Sequence, residues 1–412
     1  MKIPRSWIVA GLLLTGPAAH AQLLPSPGGA LGQVGSILDD ADRALERTEL
    51  DRLAPGRLAE RLAAARAARI GDLLRRHGDS VELDDRKEPA RRGVILLTSA
   101  KQASIEALRS AGYTVESDAV EGIDLPIARI TVPSGRSLAR ALKQVRSIAP
   151  EAEASADNLY FPGGVAPKAA GAALAGTGPV RSRAAGMIDG GVALHPSLTG
   201  AVEQRGFARG APRVSAHGTA VASLISGSGT IRGAAPGTPL LVADVYGDDP
   251  AGGSAFAIVR ALGWMAARGI KVVTVSLVGP DNPLLAGAIR LARDKGVMVV
   301  AAVGNDGPAA PPAYPASYPG VVAVTGIDGR GRLLPEAGRA RHVDFAAPGA
   351  DMNAAHTDGG KGRVRGTSFA APLVAGRLFA NGSLNGLIAE ARPGGGKALG
   401  HGIVCGNCRN ID

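Results

Sequence analysis

Between residues 184 and 325 the chain repeats one pattern, a short and continuously apolar run followed by a stretch with helical spacing. The runs are Ala184–Ile188, Leu240–Tyr246, Val272–Leu277, Val297–Val303 and Val321–Thr325, all rich in Val and Ala. Strands that do not alternate apolar with polar residues are buried on both faces, the condition of parallel strands inside a helix sandwich. Helical stretches at 218–227, 254–268 and 283–295 supply the crossovers such strands require. The expectation is an α/β fold: a three-layer α/β/α domain with a mostly parallel sheet over 181–390. The functional crevice of such a sheet lies beyond the carboxyl ends of its strands.

Upstream, residues 92–162 have a different rhythm. Apolar or alternating runs at Val94–Leu97, Thr114–Val120, Ile127–Val132 and Glu151–Tyr160 read as strands. Helical spacing runs over Ala103–Ala111 and Ser137–Ile148. The order β-α-β-β-α-β is the split, ferredoxin-like arrangement of an α+β domain. Before it, residues 22–91 form a helical N-terminal segment, with Leu58, Leu62, Ala65, Ile70, Leu73 and Leu74 at amphipathic spacing. Its many Arg are balanced by acids, and the sequence assigns it no role. Residues 163–180, rich in Gly, Ala and Pro without periodicity, read as a linker and a natural point of proteolysis.

The first residues carry an address. Lys2 and Arg5, the apolar run Trp7–Leu14 and the Ala19-His20-Ala21 triplet make residues 1–21 a secretory signal peptide, with mature chain starting near Gln22. No later segment is apolar for the roughly 18 residues a membrane span needs. The expected localisation is secreted or periplasmic, without a membrane span. Net charge is +10, with 23 basic against 15 acidic residues in 181–412 and no dense basic block. With aromatics at 3%, this composition speaks against a nucleic-acid partner.

Three segments carry chemistry. Gly186-Met187-Ile188-Asp189-Gly190-Gly191 puts a carboxylate at the end of an apolar strand. His217-Gly218-Thr219-Ala220 puts an imidazole where a small-residue helix begins. Gly366-Thr367-Ser368-Phe369-Ala370-Ala371-Pro372 puts a hydroxyl at another helix start. A serine hydroxyl needs a base to take its proton, histidine does this near neutral pH, and a carboxylate on the second ring nitrogen steadies the imidazolium. A helix N-terminus beneath the serine offers N–H groups to an oxyanion. Singly, each motif is as well explained by a turn, a structural histidine or an ordinary N-cap.

Together, in the chain order Asp…His…Ser, the motifs resemble those of the subtilisin-like serine peptidases (subtilases) over about 181–380. The resemblance implies Ser368 as nucleophile, His217 as general base then acid, and Asp189 as the orienting carboxylate. Ala301-Ala302-Val303-Gly304-Asn305-Asp306-Gly307 resembles the family's oxyanion motif, making Asn305 the side-chain donor. Val275-Ser276-Leu277-Val278-Gly279-Pro280 resembles its substrate-pairing edge. The implied substrate-binding positions are Ser276, Leu277, Val278, Gly279, Ala302, Gly304 and Ala313. The family usually has Ser-Leu-Gly-Gly at that edge and often glycine before Tyr314-Pro315. Val278 and Ala313 therefore imply a narrowed pocket for small residues before the scissile bond, unless both point into the core. The same resemblance makes 92–162 an inhibitory propeptide that binds in cis.

The implied function is an exported serine endopeptidase made as an autoprocessed precursor, with protein or peptide substrates. The alternative is a catalytically inactive subtilisin-like fold that binds proteins. An α/β-hydrolase esterase would show Gly-x-Ser-x-Gly, and a dinucleotide or nucleotide enzyme its glycine fingerprint; neither occurs. The chemistry requires no cofactor. Structural calcium is common in the family, but no residues here mark a metal site. Cys405 and Cys408, the two cysteines, lie in the C-terminal tail 391–412 and are expected to form a local disulfide.

Overall fold

The computed structural model describes residues 54–163, 173–176, 178–180 and 183–411. The expected signal peptide and much of the expected linker lie outside the described residues.

The chain opens with a long helix, α1 (Pro55–His77), which holds the apolar stripe read between Leu58 and Leu74. A five-stranded antiparallel sheet follows: β1 (Val81–Leu83), β2 (Pro89–Thr98), β3 (Thr114–Val120), β4 (Leu125–Thr131) and β5 (Glu153–Asn158). Helices α2 (Gln102–Ser110) and α3 (Leu138–Ile148) cross between them. β2 pairs with β4 and β5, and β4 with β3, which is the split order expected. β1 is an addition the sequence reading lacked; at three residues it is too short to show a period. Leu138, Leu142 and Val145 of α3 pack with Ile95, Leu97 and Ile130 into a separate core.

The second sheet has seven strands in the order β14-β13-β12-β10-β7-β9-β8. They are β7 (Ala185–Asp189), β8 (Val202–Gly206), β9 (Leu240–Asp244), β10 (Val272–Val275), β12 (Met298–Ala302), β13 (Val322–Ile327) and β14 (Phe345–Pro348). Every pairing in it is parallel. Helices α4 (Ala216–Ser226) and α7 (Thr367–Asn381) cover one face; α5 (Ala255–Ala267) and α6 (Pro283–Asp294) cover the other. The five apolar runs became the five inner strands. β8 was missed because an edge strand needs no continuous apolar run, only Val202 in it being buried; β14, buried throughout, is only four residues long.

The tail 391–412 is part of the fold. Ile403 lies parallel to Ala346 and antiparallel to Arg392, extending the sheet beyond β14. Cys405 and Cys408 are disulfide-bonded. The loop they close leads Arg409 inward, where its guanidinium donates to the carbonyls of Ala350 and Asp328.

Candidate active site

Asp189 is the last residue of β7 and His217 the second of α4. Their contact depends on three small residues. A Cβ on Gly218 would stand 2.3 Å from the Gly190 carbonyl oxygen, and one on Gly190 2.4 Å from the Ser215 Cβ. With none there, the helix start meets the strand end. Ser215 caps α4 by accepting from the Gly218 N–H. His217 Nδ1 then lies 2.9 and 3.0 Å from the two Asp189 carboxylate oxygens. Asp189 is fully buried, so this pair is shielded from solvent. His217 Nε2 is buried without a hydrogen-bond partner among the described residues. An imidazole held on one nitrogen and free on the other is set up to accept a proton.

Ser368 is the second residue of α7, a helix with Pro372 inside it. Proline has no N–H, so the Ser368 carbonyl four residues earlier lacks its helical partner. The Ser276 hydroxyl takes that place, donating to it at 2.8 Å. In return the Ser368 hydroxyl donates to the Ser276 carbonyl at 2.9 Å. Ser276 thus fixes the nucleophile's turn of helix. Asn305 is fixed on one side only: its Oδ1 accepts from the Thr367 N–H at 2.9 Å, which turns its amide nitrogen toward the cleft.

The cleft is filled by the chain itself. After β5, Leu159 bridges to Ser254 and the Tyr160 N–H donates to the Gly253 carbonyl. The two-residue strand β6 (Phe161–Pro162) pairs antiparallel with β11 (Leu277–Val278), Phe161 opposite Val278 and Pro162 opposite Leu277. Tyr160 is fully buried. Its hydroxyl donates to the Pro280 carbonyl at 2.7 Å, and its ring lies where a Gly279 side chain would be. Gly163, the first residue of the expected linker, sits on the nucleophile. Its carbonyl accepts from the Ser368 N–H at 3.2 Å, and its N–H donates to the Ser368 hydroxyl oxygen at 2.9 Å. The Asn305 Nδ2 is 3.4 Å from where a Gly163 Cβ would stand.

The other expected substrate positions divide. A Cβ on Gly304 would meet the methyls of Val278 at 3.3 and 3.5 Å and Ala313 at 3.7 Å. Val278 and Ala313 therefore face Gly304 across the cleft rather than the core. Gly279 supports the Tyr160 ring. Leu277 gives the cleft its backbone only, its side chain being buried in the core. Ala302 is fully buried between sheet and helices and does not reach the cleft; it is a correction to the expected set. Alternation along β12 explains it, because Val300 and Ala302 face the α4/α7 layer while Val299, Ala301 and Val303 face the opposite one. Gly163 and Tyr160 were missed, since nothing local marks them; only the match of an extended segment to an exposed strand edge could have. Among the described residues no group of three or more His, Cys, Asp or Glu side chains gathers as a metal site, and no helix is long and apolar enough to cross a membrane.

An aspartate-steadied histidine packed on Phe369, the helix-start Ser368 beside it and an amide next to Gly163 gather at the strand ends of a parallel sheet, the arrangement of a serine hydrolase site. The chain belongs to the subtilase family, whose family model matches residues 186–380. Subtilisin BL of Lederbergia lenta is 32% identical over 200 residues, covering 46% of this chain and 72% of that protein. The major intracellular serine protease of Bacillus subtilis is 33% identical over 170 residues, 39% of this chain and 53% of its own length. The minor extracellular protease Epr of the same organism is 30% identical over 196 residues, 46% of this chain and 30% of its own. The chain thus spans about half of the first of these Bacillus relatives and under a third of the second. In fold it resembles fervidolysin from Fervidobacterium pennivorans, with TM-score 0.62 and 19% identity over 78% of this chain and 61% of that one. It also resembles the epidermin leader peptide processing protease of Staphylococcus aureus, with TM-score 0.57 and 17% identity over 77% and 97% of the two chains.

Proposed function

We propose that this chain is a serine endopeptidase made as an inhibited precursor, and that its first substrate is its own Gly163–Gly164 bond. The observation that carries the proposal is the Gly163 carbonyl, held by the Ser368 N–H with β6 paired on β11. In this reading the Ser368 hydroxyl turns from the Ser276 carbonyl to His217 Nε2. It gives its proton there as its oxygen bonds to the Gly163 carbonyl carbon. The Ser368 N–H and the Asn305 amide hold the oxyanion. The C–N bond breaks, the Gly164 nitrogen takes the proton from His217, and water then hydrolyses the ester by the same route in reverse. No cofactor is asked for.

The same contacts give a substrate class: extended peptides with glycine before the cut and tyrosine three residues earlier, as in Tyr160-Phe161-Pro162-Gly163. A Cβ on Gly163 would stand 3.0 Å from the Ser368 hydroxyl oxygen, Val278 and Ala313 close on the neighbouring Gly304, and Pro280 offers a carbonyl to the tyrosine hydroxyl. Export is supported by residues 1–21 and by the Cys405–Cys408 disulfide, which suits an oxidising compartment.

The test is the full chain expressed from Gln22, as wild type and as Ser368→Ala, followed by intact mass. Wild type is expected to split between Gly163 and Gly164 while the variant stays whole. If neither splits and neither cuts casein, the protein is a binding module on a subtilase fold.

A further inference from the structure

The sequence assigned no role to α1, yet the structure ties it to both sides of the cleft. One end of its stripe packs on the cleft's occupant: Leu73 clusters with Leu159, Val81 and Ala251, and Phe161 packs on the same cluster. The other end packs on the catalytic domain just past Asn305. A Cβ on Gly307 would stand 2.6 Å from Leu62 Cδ1, so the fit requires glycine. Between them, one turn apart, Arg66 and Arg69 converge on a single carboxylate. Arg66 Nε is 3.4 Å from an Asp306 oxygen, and Arg69 bonds to the other. Arg66 also bonds to Glu88 at 2.8 Å. Asp306 adjoins the oxyanion donor. One helix therefore lies across strand 159–162 and clamps the loop that holds Asn305.

We infer that Asp306 and Gly307 form a docking surface for a basic amphipathic helix presenting Leu62, Arg66 and Arg69, and that α1 is its occupant. Docked there, α1 retains the pro-region after the Gly163–Gly164 bond is cut. The first cut then leaves an inhibited complex, and activity appears only when α1 is lost. This rests on the self-processing proposed above. The physical ground is effective concentration: α1 and β6 belong to one folded unit, so β6 cannot leave the cleft for good while α1 holds.

The experiment uses the full chain from Gln22, as wild type, as Arg66→Glu/Arg69→Glu, and as that pair combined with Asp306→Lys. Intact mass follows the first cut, and hydrolysis of a Tyr-Phe-Pro-Gly peptide follows activity, each lag scaled to the variant's own final rate. The double variant is expected to cut at the wild-type rate but to shorten the lag at least fivefold. The charge-swapped triple variant is expected to recover most of the lag, which a merely structural role for the arginines would not produce. The same substitutions in the Ser368→Ala chain, which needs no self-cleavage, read docking directly. Amide exchange over 304–312 should rise severalfold in the double variant and fall back in the triple. Unchanged lag with normal cutting, or unchanged exchange in the Ser368→Ala background, overturns the inference. Loss of cutting in wild type with exchange behaving as expected overturns the self-processing reading and leaves the docking surface standing.

Discussion

The seven-stranded sheet and the layer lying on its catalytic edge are held to the site by different kinds of contact. Asp189, His217, Asn305 and Ser368 each sit in a contiguous motif at a strand end or helix start, although contacts as distant as Ser276 with Ser368 complete their geometry. The cleft's occupant and its clamp come from Leu62, Arg66, Tyr160 and Gly163, none of which carries a local signature, and each meets a partner 90 or more residues away. The residues of the chemistry are marked by local motifs, and those of the restraint only by complementarity to distant partners. The two should fail independently: site substitutions should abolish turnover without freeing the cleft, and clamp substitutions should free the cleft without touching the rate constant.

The largest effect expected is on the chemical side. Ser368→Ala should reduce kcat about 10⁶-fold, the scale of losing a subtilisin nucleophile, while the pro-region remains docked. Steady-state hydrolysis and size-exclusion of the intact chain check both halves. A variant that lost its docked layer would show that the Gly163–Ser368 contacts hold the pro-region as much as α1 does. Asn305→Ala comes next, with kcat lowered roughly 10²–10³-fold, about 3–4 kcal/mol of transition-state stabilisation. KM should hardly move, because Asn305 bonds only through Oδ1 to Thr367 in the resting state. A loss confined to KM would remove Asn305 from the oxyanion role.

How far the sequence reaches follows from these particulars. Inner strands were legible because burial on both faces leaves continuous apolar runs, and the Asp189–His217 pair because each stands beside glycine at a strand end or helix start. The edge strand β8, half-exposed, leaves no such run, and the buried β14 is too short to stand out. Ala302 was placed in the cleft by its motif, whereas strand alternation turns it into the core. The role of α1 was illegible for a further reason. Its amphipathic spacing says that one face is covered, but nothing in residues 55–77 says by what, and the covering residues Asp306 and Gly307 lie 237 or more positions from their partners Arg69 and Leu62.

Val278 sharpens the comparison from within the cleft, since its backbone pairs with Phe161 of the docked segment while its methyls close on Gly304. Val278→Gly should open the space under Gly304, raising kcat/KM for peptides with Leu or Phe before the cut by about 10–100-fold, the 1–3 kcal/mol scale of a reshaped apolar pocket. Glycine peptides should change little. An unchanged profile across a library varied at that position would mean that Ala313 or the loop after Asn305 sets the limit instead.

The smallest effect concerns pH and lies wholly in the interface. Asp157, at the end of β5, is buried where the two sheets meet; its Oδ1 accepts from the Phe256 N–H in the first turn of α5 at 2.9 Å. Arg91 approaches its other oxygen at 3.5 Å while pairing more closely with Asp249 at 2.7 Å. Burial pushes the Asp157 carboxyl above its ordinary 3.8, against the pull of Arg91 and the Phe256 and Ser254 hydrogen bonds, with the Asp249 charge adding to the rise. Undocked and wetted, the group should titrate in the ordinary range. The docked form therefore binds the proton more tightly, so docking weakens as pH rises from about 4 through the raised value, and strengthens on the way down. Release of the cut pro-region, timed by size-exclusion at a series of pH values, should accelerate severalfold across that window. Asp157→Asn should flatten that part of the slope, because an amide has no proton to lose. A slope that survives in Asp157→Asn would assign the pH response to Glu88, whose carboxyl burial beside α1 also pushes up, and the clamp rather than the sheet interface would then be the part of the restraint that weakens as pH rises.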